Sequence, residues 1–444
     1  MTTTSQDQLE VDVIINVAEI NDRHGVGVLL QRIFKDRSQI FAIRTLNLYG
    51  GNCTFGRHDY LLGAIGLSQS EVFAKIQKIL TQYTVKRVLC IPYHAEEIFA
   101  ALAVHELFGA DICTYLMDDQ NVITTSIPDG LMAELLAKSA LTLAISPEMR
   151  DVYIAKYQMP IYFAPPVIPT ALIENYPTVL PSTANRGPVG AIFGNIWSPQ
   201  WLKLLRTMTR ETGEKIDWYG NTGADWNFSD RAQLSDDGIV EQGFLPTEVE
   251  VVAVLRKYAY VVVPSGTLDH RDDKLAFSWL SLPSRIPFVL ATANTPIIVL
   301  GNPNTAAARF VTRLGIGIVA DYDPLSFRTA VTHITQPSVQ QQMRENAIRV
   351  APHLVNEQMD DWIWQSLKLG KPINDQFEAL LTESSDYVAS FTTCLNLIRQ
   401  QQAEIDRLKL KSNPVAILIY YLKQNSYRWP KLRHTWYQLK GKVS

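Results

Sequence analysis

Two adjacent side chains in the C-terminal half of the chain could grip an anion. In Leu282-Pro283-Ser284-Arg285-Ile286-Pro287-Phe288-Val289-Leu290-Ala291, Ser284 and Arg285 stand where a helix is expected to begin. A hydroxyl, a guanidinium and the unpaired amides of a helix start together make a clamp for a diphosphate. The same pair also fits a serine N-cap beside a surface arginine. A second candidate is His24-Gly25-Val26-Gly27, between a strand pattern and a helical one. Two glycines there let backbone amides approach a ligand, and the helix start favours negative charge. A tight turn without a ligand is the alternative, because the third glycine of a dinucleotide fingerprint is absent.

Four strand patterns in the second half close on small or turn-forming residues: Gly194-Asn195, Trp218-Tyr219-Gly220, Gly243-Phe244 and Pro264-Ser265-Gly266. Each alone reads as turn chemistry. Together they suit a ligand lying along the carboxyl edge of a parallel sheet. Asp269, Asp272 and Asp273 precede the Ser284 segment and could meet sugar hydroxyls, or form a solvated charge run. Asp118-Asp119 reads as loop solvation or a helix cap rather than a metal site, and His94 and His105 as satisfied histidines.

These groups need a scaffold, and the apolar pattern supplies one. Strand-like runs at 11–17, 40–43, 88–91, 112–116 and 141–145 alternate with helical patterns at 70–83, 96–108 and 131–139. After a proline-rich stretch at 174–188 the alternation restarts: strands at 189–193, 216–219, 259–263 and 296–300, helices at 200–212, 248–256 and 284–293. Strands alternating with helices predict parallel sheets covered on both faces. The expected organisation is a first α/β domain over 1–170, a linker over 171–188 and a second α/β domain over 189–352. Crossing helices follow over 353–380, then an amphipathic helix or short coiled coil over 381–411 and a basic aromatic tail over 412–444. In the amphipathic stretch Val388, Phe391, Leu395, Ile398 and Ile405 keep helical spacing. That pattern suits a homodimer seam or packing on the chain's own domains.

The 444 residues, with 47% hydrophobic and 19% charged, can bury large cores and exclude a disordered or fibrous chain. A net charge of −3 argues against a nucleic-acid partner recruited by bulk charge. Four scattered cysteines fit neither a disulfide framework nor a zinc site. With no secretory pattern at the N-terminus and no run of 18 apolar residues, a cytoplasmic protein is expected. From Arg407 onward the chain has nine Lys or Arg and no acid, interleaved with Tyr420, Tyr421, Tyr427, Trp429, Trp436 and Tyr437. The rest of the chain therefore carries −12. Such a tail fits the anionic inner face of a membrane, or docking on the acidic remainder.

The Ser284 segment, with Thr295-Pro296-Ile297-Ile298-Val299-Leu300-Gly301 after it, resembles the sugar-nucleotide loop of GT-B glycosyltransferases, near glycosyltransferase family 4. The segments at 140–149, 163–167 and 315–319 resemble other landmarks of that fold, over about residues 11 to 350. The resemblance implies two Rossmann-like parallel-sheet domains facing each other across a cleft, plus a C-terminal helical extension. It implies transfer of a sugar from a nucleoside diphosphate sugar to a hydroxyl acceptor, glycan or lipid-linked, in polysaccharide or glycoconjugate synthesis. Retention of configuration follows from the resemblance too, with no metal or cofactor. Ser284 and Arg285 would hold the diphosphate, Gly194 and Asn195 would lie near it, and Phe244 and Leu245 would flank the base. Tyr219, Gly220 and Ser265 complete the strand-end row. Gly25 and Gly27 would face the sugar donor from the other domain, with His24 beside them. Asp118 matches the acidic half of a His-Asp pair whose histidine is here Met117. His24 and Asp118 are the catalytic candidates. The family's two glutamates, eight positions apart, are replaced by Leu280 and Phe288. A non-catalytic binding or scaffold subunit, a sugar-nucleotide epimerase and a Rossmann oxidoreductase are the alternatives.

Overall fold

The structure, a computed structural model, describes residues 9–51, 55–63, 65–173, 189–220, 231–269, 272–355 and 357–381, with short helical pieces at 391–393, 395–396 and 399–400. The first domain runs β1 (Leu9–Asn16), α1 (Gly25–Ile33), β2 (Ile40–Arg44), β3 (His58–Leu61), α2 (Gln69–Leu80), β4 (Tyr83–Cys90) and α3 (Ala95–Phe108). It continues through β5 (Asp111–Leu116), α4 (Asp129–Lys138), β6 (Ser139–Ala144), α5 (Pro147–Tyr157) and β7 (Tyr162–Phe163). The seven strands form a parallel sheet in the order β3-β2-β1-β4-β5-β6-β7.

The second domain opens with β8 (Gly190–Phe193), α6 (Pro199–Thr212), β9 (Ile216–Tyr219), α7 (Arg231–Asp236), β10 (Ile239–Gly243), α8 (Glu248–Leu255) and β11 (Tyr260–Pro264). Then come α9 (Leu275–Leu280), α10 (Arg285–Phe288), β12 (Ile297–Leu300), α11 (Ala306–Leu314), β13 (Gly317–Ala320), α12 (Pro324–Ile334) and α13 (Pro337–Val350). Its six parallel strands follow the order β10-β9-β8-β11-β12-β13. The strand order reverses beside β1 in one sheet and beside β8 in the other, the position at which open α/β sheets commonly bind ligands.

The apolar runs locate the central strands because those strands are buried on both faces. Edge strand β3 escaped the pattern: its residues are half-exposed, and polar contacts hold it, Arg44 to Asp59 (2.7 Å) and His58 to the Tyr83 hydroxyl (2.8 Å). Tyr83 and Ser139, expected in helices, instead begin strands β4 and β6. The helical pattern at 284–293 is α10 followed by a wider turn, Val289–Ala293, which ends at Asn294 with φ +53°. The linker at 174–188 and the tail from 401 lie outside the described residues, as do Val388, Ile398 and Ile405.

One apolar core runs from the first sheet into the second domain, taking in Ile15, Leu89, Leu143, Leu280, Leu282, Ile286 and Phe288. A second core, with Trp201, Trp218, Tyr260 and Phe327, lies within the second domain. Helix α14 (Met359–Leu369) returns to the first domain. There Trp364 packs on Phe34 at 5.6 Å and under the Arg87 guanidinium at 4.5 Å. Farther along, Phe391 is buried edge-on against Trp279 at 5.3 Å, Leu395 is buried, and Arg399 donates to the Val122 carbonyl at 2.6 Å. Two residues of the expected coiled-coil seam are thus covered by the chain itself. A seam needs them free for a second copy, so at Phe391 and Leu395 the face packs on the chain itself. Among the described residues no helix is long and apolar enough to cross a membrane.

Candidate functional site

The second sheet builds its carboxyl edge from glycines in close backbone contact. Gly194 ends β8 with φ +78°, and its N–H donates to the Tyr219 carbonyl at 2.8 Å. The Trp218 indole N–H donates to the Gly194 carbonyl at 2.9 Å. A side chain at Gly220 would place Cβ 2.6 Å from that same oxygen. At Gly220 backbone faces backbone, so no side chain fits there. Ser265 is buried, its N–H bound to the Leu300 carbonyl (2.7 Å) and its own carbonyl to the Tyr322 hydroxyl (2.9 Å). Tyr219 contributes backbone only, because its hydroxyl pairs with Tyr258 at 2.8 Å, which in turn donates to Asp217 at 2.6 Å. Phe244 stands 69% exposed just past β10, with Leu245 half-buried, so one flat aromatic face is free beside the row.

Arg285 reaches this edge from α10. Its guanidinium donates to the Phe193 carbonyl at 3.0 Å and to the Asn195 carbonyl, on either side of Gly194. Burial lowers its pKa to about 10, so it stays charged at neutral pH. Its hydrogen-bond partners among the described residues are carbonyls, which satisfy N–H groups and leave the charge uncompensated. Ser284 precedes it, and a Cβ on Gly25 would lie 3.4 Å from the Ser284 hydroxyl. The glycine loop of α1 and the start of α10 therefore face each other across the domain boundary. Phe288 is buried, tilted on Phe193 at 5.4 Å with the Arg32 guanidinium 5.3 Å from its ring centre. Arg32 also pairs with Glu248 of the second domain.

Opposite lies the carboxyl edge of the first sheet. Glu19, just past β1, is buried, and its carboxylate accepts the backbone N–H groups of Leu48 (2.8 Å), Tyr49 (3.1 Å) and Gly51 (2.7 Å). Burial pushes its pKa up, but these hydrogen bonds outweigh that and hold it below the usual value. His24 Nε2 donates to the Glu19 carbonyl at 2.7 Å, so Nδ1 is the acceptor and takes the Gly27 N–H at 3.4 Å. Its ring stacks on Tyr49 at 4.8 Å, and burial lowers its pKa. Both nitrogens of the first catalytic candidate are thus engaged in shaping the loop. Asp118, the second, accepts the Tyr93 hydroxyl at 2.7 Å and, from the other domain, the Ser281 hydroxyl at 2.8 Å. Asp119 turns the other way and caps its own loop through four backbone N–H groups and the Tyr153 hydroxyl. The two carboxylates do not converge.

Asp272 accepts the N–H groups of Leu268 (3.2 Å) and Lys274 (3.0 Å), while Asp273 takes the Ser198 hydroxyl. Both tie loops down. His105 donates to the Ala110 carbonyl at 2.9 Å, a satisfied histidine.

Glu97, at the start of α3, is fully buried between the Thr45 hydroxyl and the His94 N–H, and burial raises its pKa to about 8. The native state holds that proton where the unfolded chain has lost it. Stability from this group is therefore complete below the unfolded value of about 4.5 and declines as pH rises toward 8. Glu97→Gln is expected to flatten this decline in urea midpoints measured between pH 5 and 8; an unchanged slope would contradict it.

With both domains and the facing loops placed, comparison with solved structures decides the architecture. Anabaena HepE, solved in complex with UDP, superposes with a TM-score of 0.58 at 11% identity, covering 81% of this chain and all of that one. Sucrose-phosphate synthase from Thermosynechococcus elongatus gives 0.56 at 11% identity, covering 85% and 100%. WaaG, a glycosyltransferase involved in lipopolysaccharide biosynthesis, gives 0.52 at 9% identity, covering 81% and 99%. The chain has the GT-B fold. No protein-family model matches its sequence, and no curated protein matches it significantly.

In this GT-B chain, Gly25 faces Ser284 across the boundary, and Arg285 lies against Gly194 and Asn195 within the second domain. His24 caps the start of α1 and Asp118 follows the end of β5, each held from two sides. Sequence reading passed over Glu19, Tyr93, Ser281 and Arg32, whose partners are distant in the chain, and Glu97, which meets Thr45 far along the chain and His94 in a local capping box. Ser146 lies in one of the segments that carry the resemblance, and its bond to the Leu280 carbonyl is what the sequence hides.

Proposed function

We propose that the chain transfers a sugar from a nucleoside diphosphate sugar to a hydroxyl acceptor. The observation that carries this reading is Arg285, a largely buried cation bound to carbonyls on either side of Gly194. A diphosphate would supply the missing negative charge, and among the described residues two of the five guanidinium N–H donors are in use. As the leaving group departs, Arg285, the Ser284 hydroxyl and nearby amides would stabilise the developing charge without a metal. Phe244 would stack on the base. Gly25 and Gly27 would line the sugar side, with His24 fixing their loop. A retaining outcome fits two catalytic candidates whose polar atoms are already engaged.

UDP is the first nucleotide to try, since HepE was solved with it. Calorimetric titration across nucleoside diphosphates tests the reading; binding of none of them would remove it. A second reading, a sugar-nucleotide-binding subunit without turnover, is favoured by Phe288 packed where the family places a carboxylate. Slow hydrolysis of the sugar nucleotide, followed by mass spectrometry, separates the two.

The basic aromatic tail suggests a lipid-linked acceptor at an anionic membrane. Full-length protein is expected to co-sediment with vesicles containing about 30% anionic lipid at low salt, and protein ending at residue 406 is not. Equal sedimentation of both would end the membrane assignment.

A further inference from the structure

The Ser284-Arg285 turn is strung between two helices too short to hold it. Helix α9 has six residues, and α10 with the wider turn that continues it to Ala293 has nine. Helices of that length have little intrinsic stability, so the turn takes its geometry from tertiary contacts. Several of the most direct contacts come from the other domain. At the end of α9, the Leu280 carbonyl accepts the Ser146 hydroxyl, and Ser146 also caps α5 through the Met149 N–H at 3.0 Å. The next residue, Ser281, is buried and donates its hydroxyl to Asp118 at 2.8 Å. The other Asp118 oxygen is fixed by Tyr93. Two residues from Ser146, buried Glu148 pairs with Arg309 at 3.0 Å and Arg313 at 3.7 Å, tying α5 to α11. Leu280 and Leu282 are buried in the core shared by the two domains.

We propose that Asp118 and Ser146 are positioning residues. They hold the Leu280-Ser281 step from the first domain and so set where Ser284 and Arg285 present themselves to the diphosphate. The proposal rests on the nucleotide-binding reading above. It predicts that nucleotide affinity depends on hydrogen bonds that never touch the nucleotide. Asp118 then acts through Ser281 rather than as a base.

The test is a mutant cycle with two readouts. Ser281→Ala, Asp118→Ala, the double variant and Ser281→Thr are compared by deuterium uptake over residues 281–290 without nucleotide, and by calorimetry with UDP. Each alanine variant is expected to raise uptake there while leaving β8 and β11 unchanged. Each is expected to weaken UDP binding about tenfold, the size of one lost charge-assisted hydrogen bond. The double variant is expected to be no weaker than Asp118→Ala, because that change already removes the Ser281–Asp118 bond. Ser281→Thr keeps the hydroxyl and should behave as wild type. Asp118→Asn, which retains an acceptor oxygen, serves if the alanine variant does not fold. Unchanged uptake, additive losses of about a hundredfold, or failure of threonine to rescue would each overturn the proposal. Raised uptake in the variants of a wild type that binds no nucleoside diphosphate would leave the positioning standing and remove the transferase reading instead.

Discussion

Arg285→Met is expected to weaken UDP binding by about a hundredfold, the loss of roughly two charge-assisted hydrogen bonds. Methionine matches the length of the arginine stem and removes only the cation. Stability without nucleotide should respond differently. The free protein carries the cost of enclosing a guanidinium whose partners among the described residues are carbonyls, and burial lowers its pKa to about 10. Removing it relieves that cost while leaving the Phe193 and Asn195 carbonyls to find other partners. The two terms oppose each other, so the urea midpoint is expected to change little. Affinity and stability therefore separate at this position. A variant that binds UDP as tightly as wild type, or one that fails to fold while Ser284→Ala folds normally, would show that Arg285 serves the scaffold alone.

The two glycines of the first-domain loop should separate in the opposite way. An alanine at Gly27 would place its Cβ 2.3 Å from the Asn21 carbonyl oxygen and 2.8 Å from both the Asn21 nitrogen and His24 Nε2. Two of those atoms are backbone, and His24 is held by Glu19, so none can retreat cheaply. Gly27→Ala is expected to cost about 3 kcal/mol of stability, the upper range for overpacking. At Gly25 the nearest atom is the Ser284 hydroxyl at 3.4 Å, an ordinary contact. Gly25→Ala should fold like wild type, yet its methyl group would stand in the gap between α1 and the Ser284 turn. We expect UDP binding to fall about tenfold there, as when a small group displaces part of a ligand. Denaturant midpoints and calorimetry on both variants check the pair. Equal behaviour would mean that the gap is not a ligand site.

How far the sequence discloses this molecule depends on the range of the forces concerned. The central strands of both sheets follow from apolar runs, because burial on two faces demands them. The Ser284-Arg285 turn and the glycine endings are legible for a similar reason, since a helix start and a close backbone approach restrict the residue type locally. The edge strand β3 is not legible. Its residues are polar, and it exists through partners supplied by Arg44 and Tyr83. The roles of His24 and Asp118 are hidden in the same way. Each looks like a reactive group until its partners are known: the Glu19 carbonyl and Gly27 N–H for one, Tyr93 and Ser281 for the other. The seam at Phe391 and Leu395 illustrates the limit of periodicity. A three-four spacing specifies an apolar face, and only the fold decides that Trp279 covers it.

Phe288 carries the sharpest physical tension. Its ring packs on Phe193 beside Arg32 where the resembled sugar-nucleotide loop would carry a carboxylate, so under the proposed function ribose recognition would come from backbone groups or from the exposed side of the row near Phe244. Arg32 also pairs with Glu248, which ties this packing to the contact between domains.

The most direct measurement is a crystal structure of the chain with UDP. The predicted result has diphosphate oxygens within hydrogen-bond reach of the Arg285 guanidinium and the Ser284 hydroxyl, beside Gly194, with the base against Phe244. Nucleotide bound away from Arg285, with Phe193, Phe288 and Arg32 still closed over that space, would contradict it.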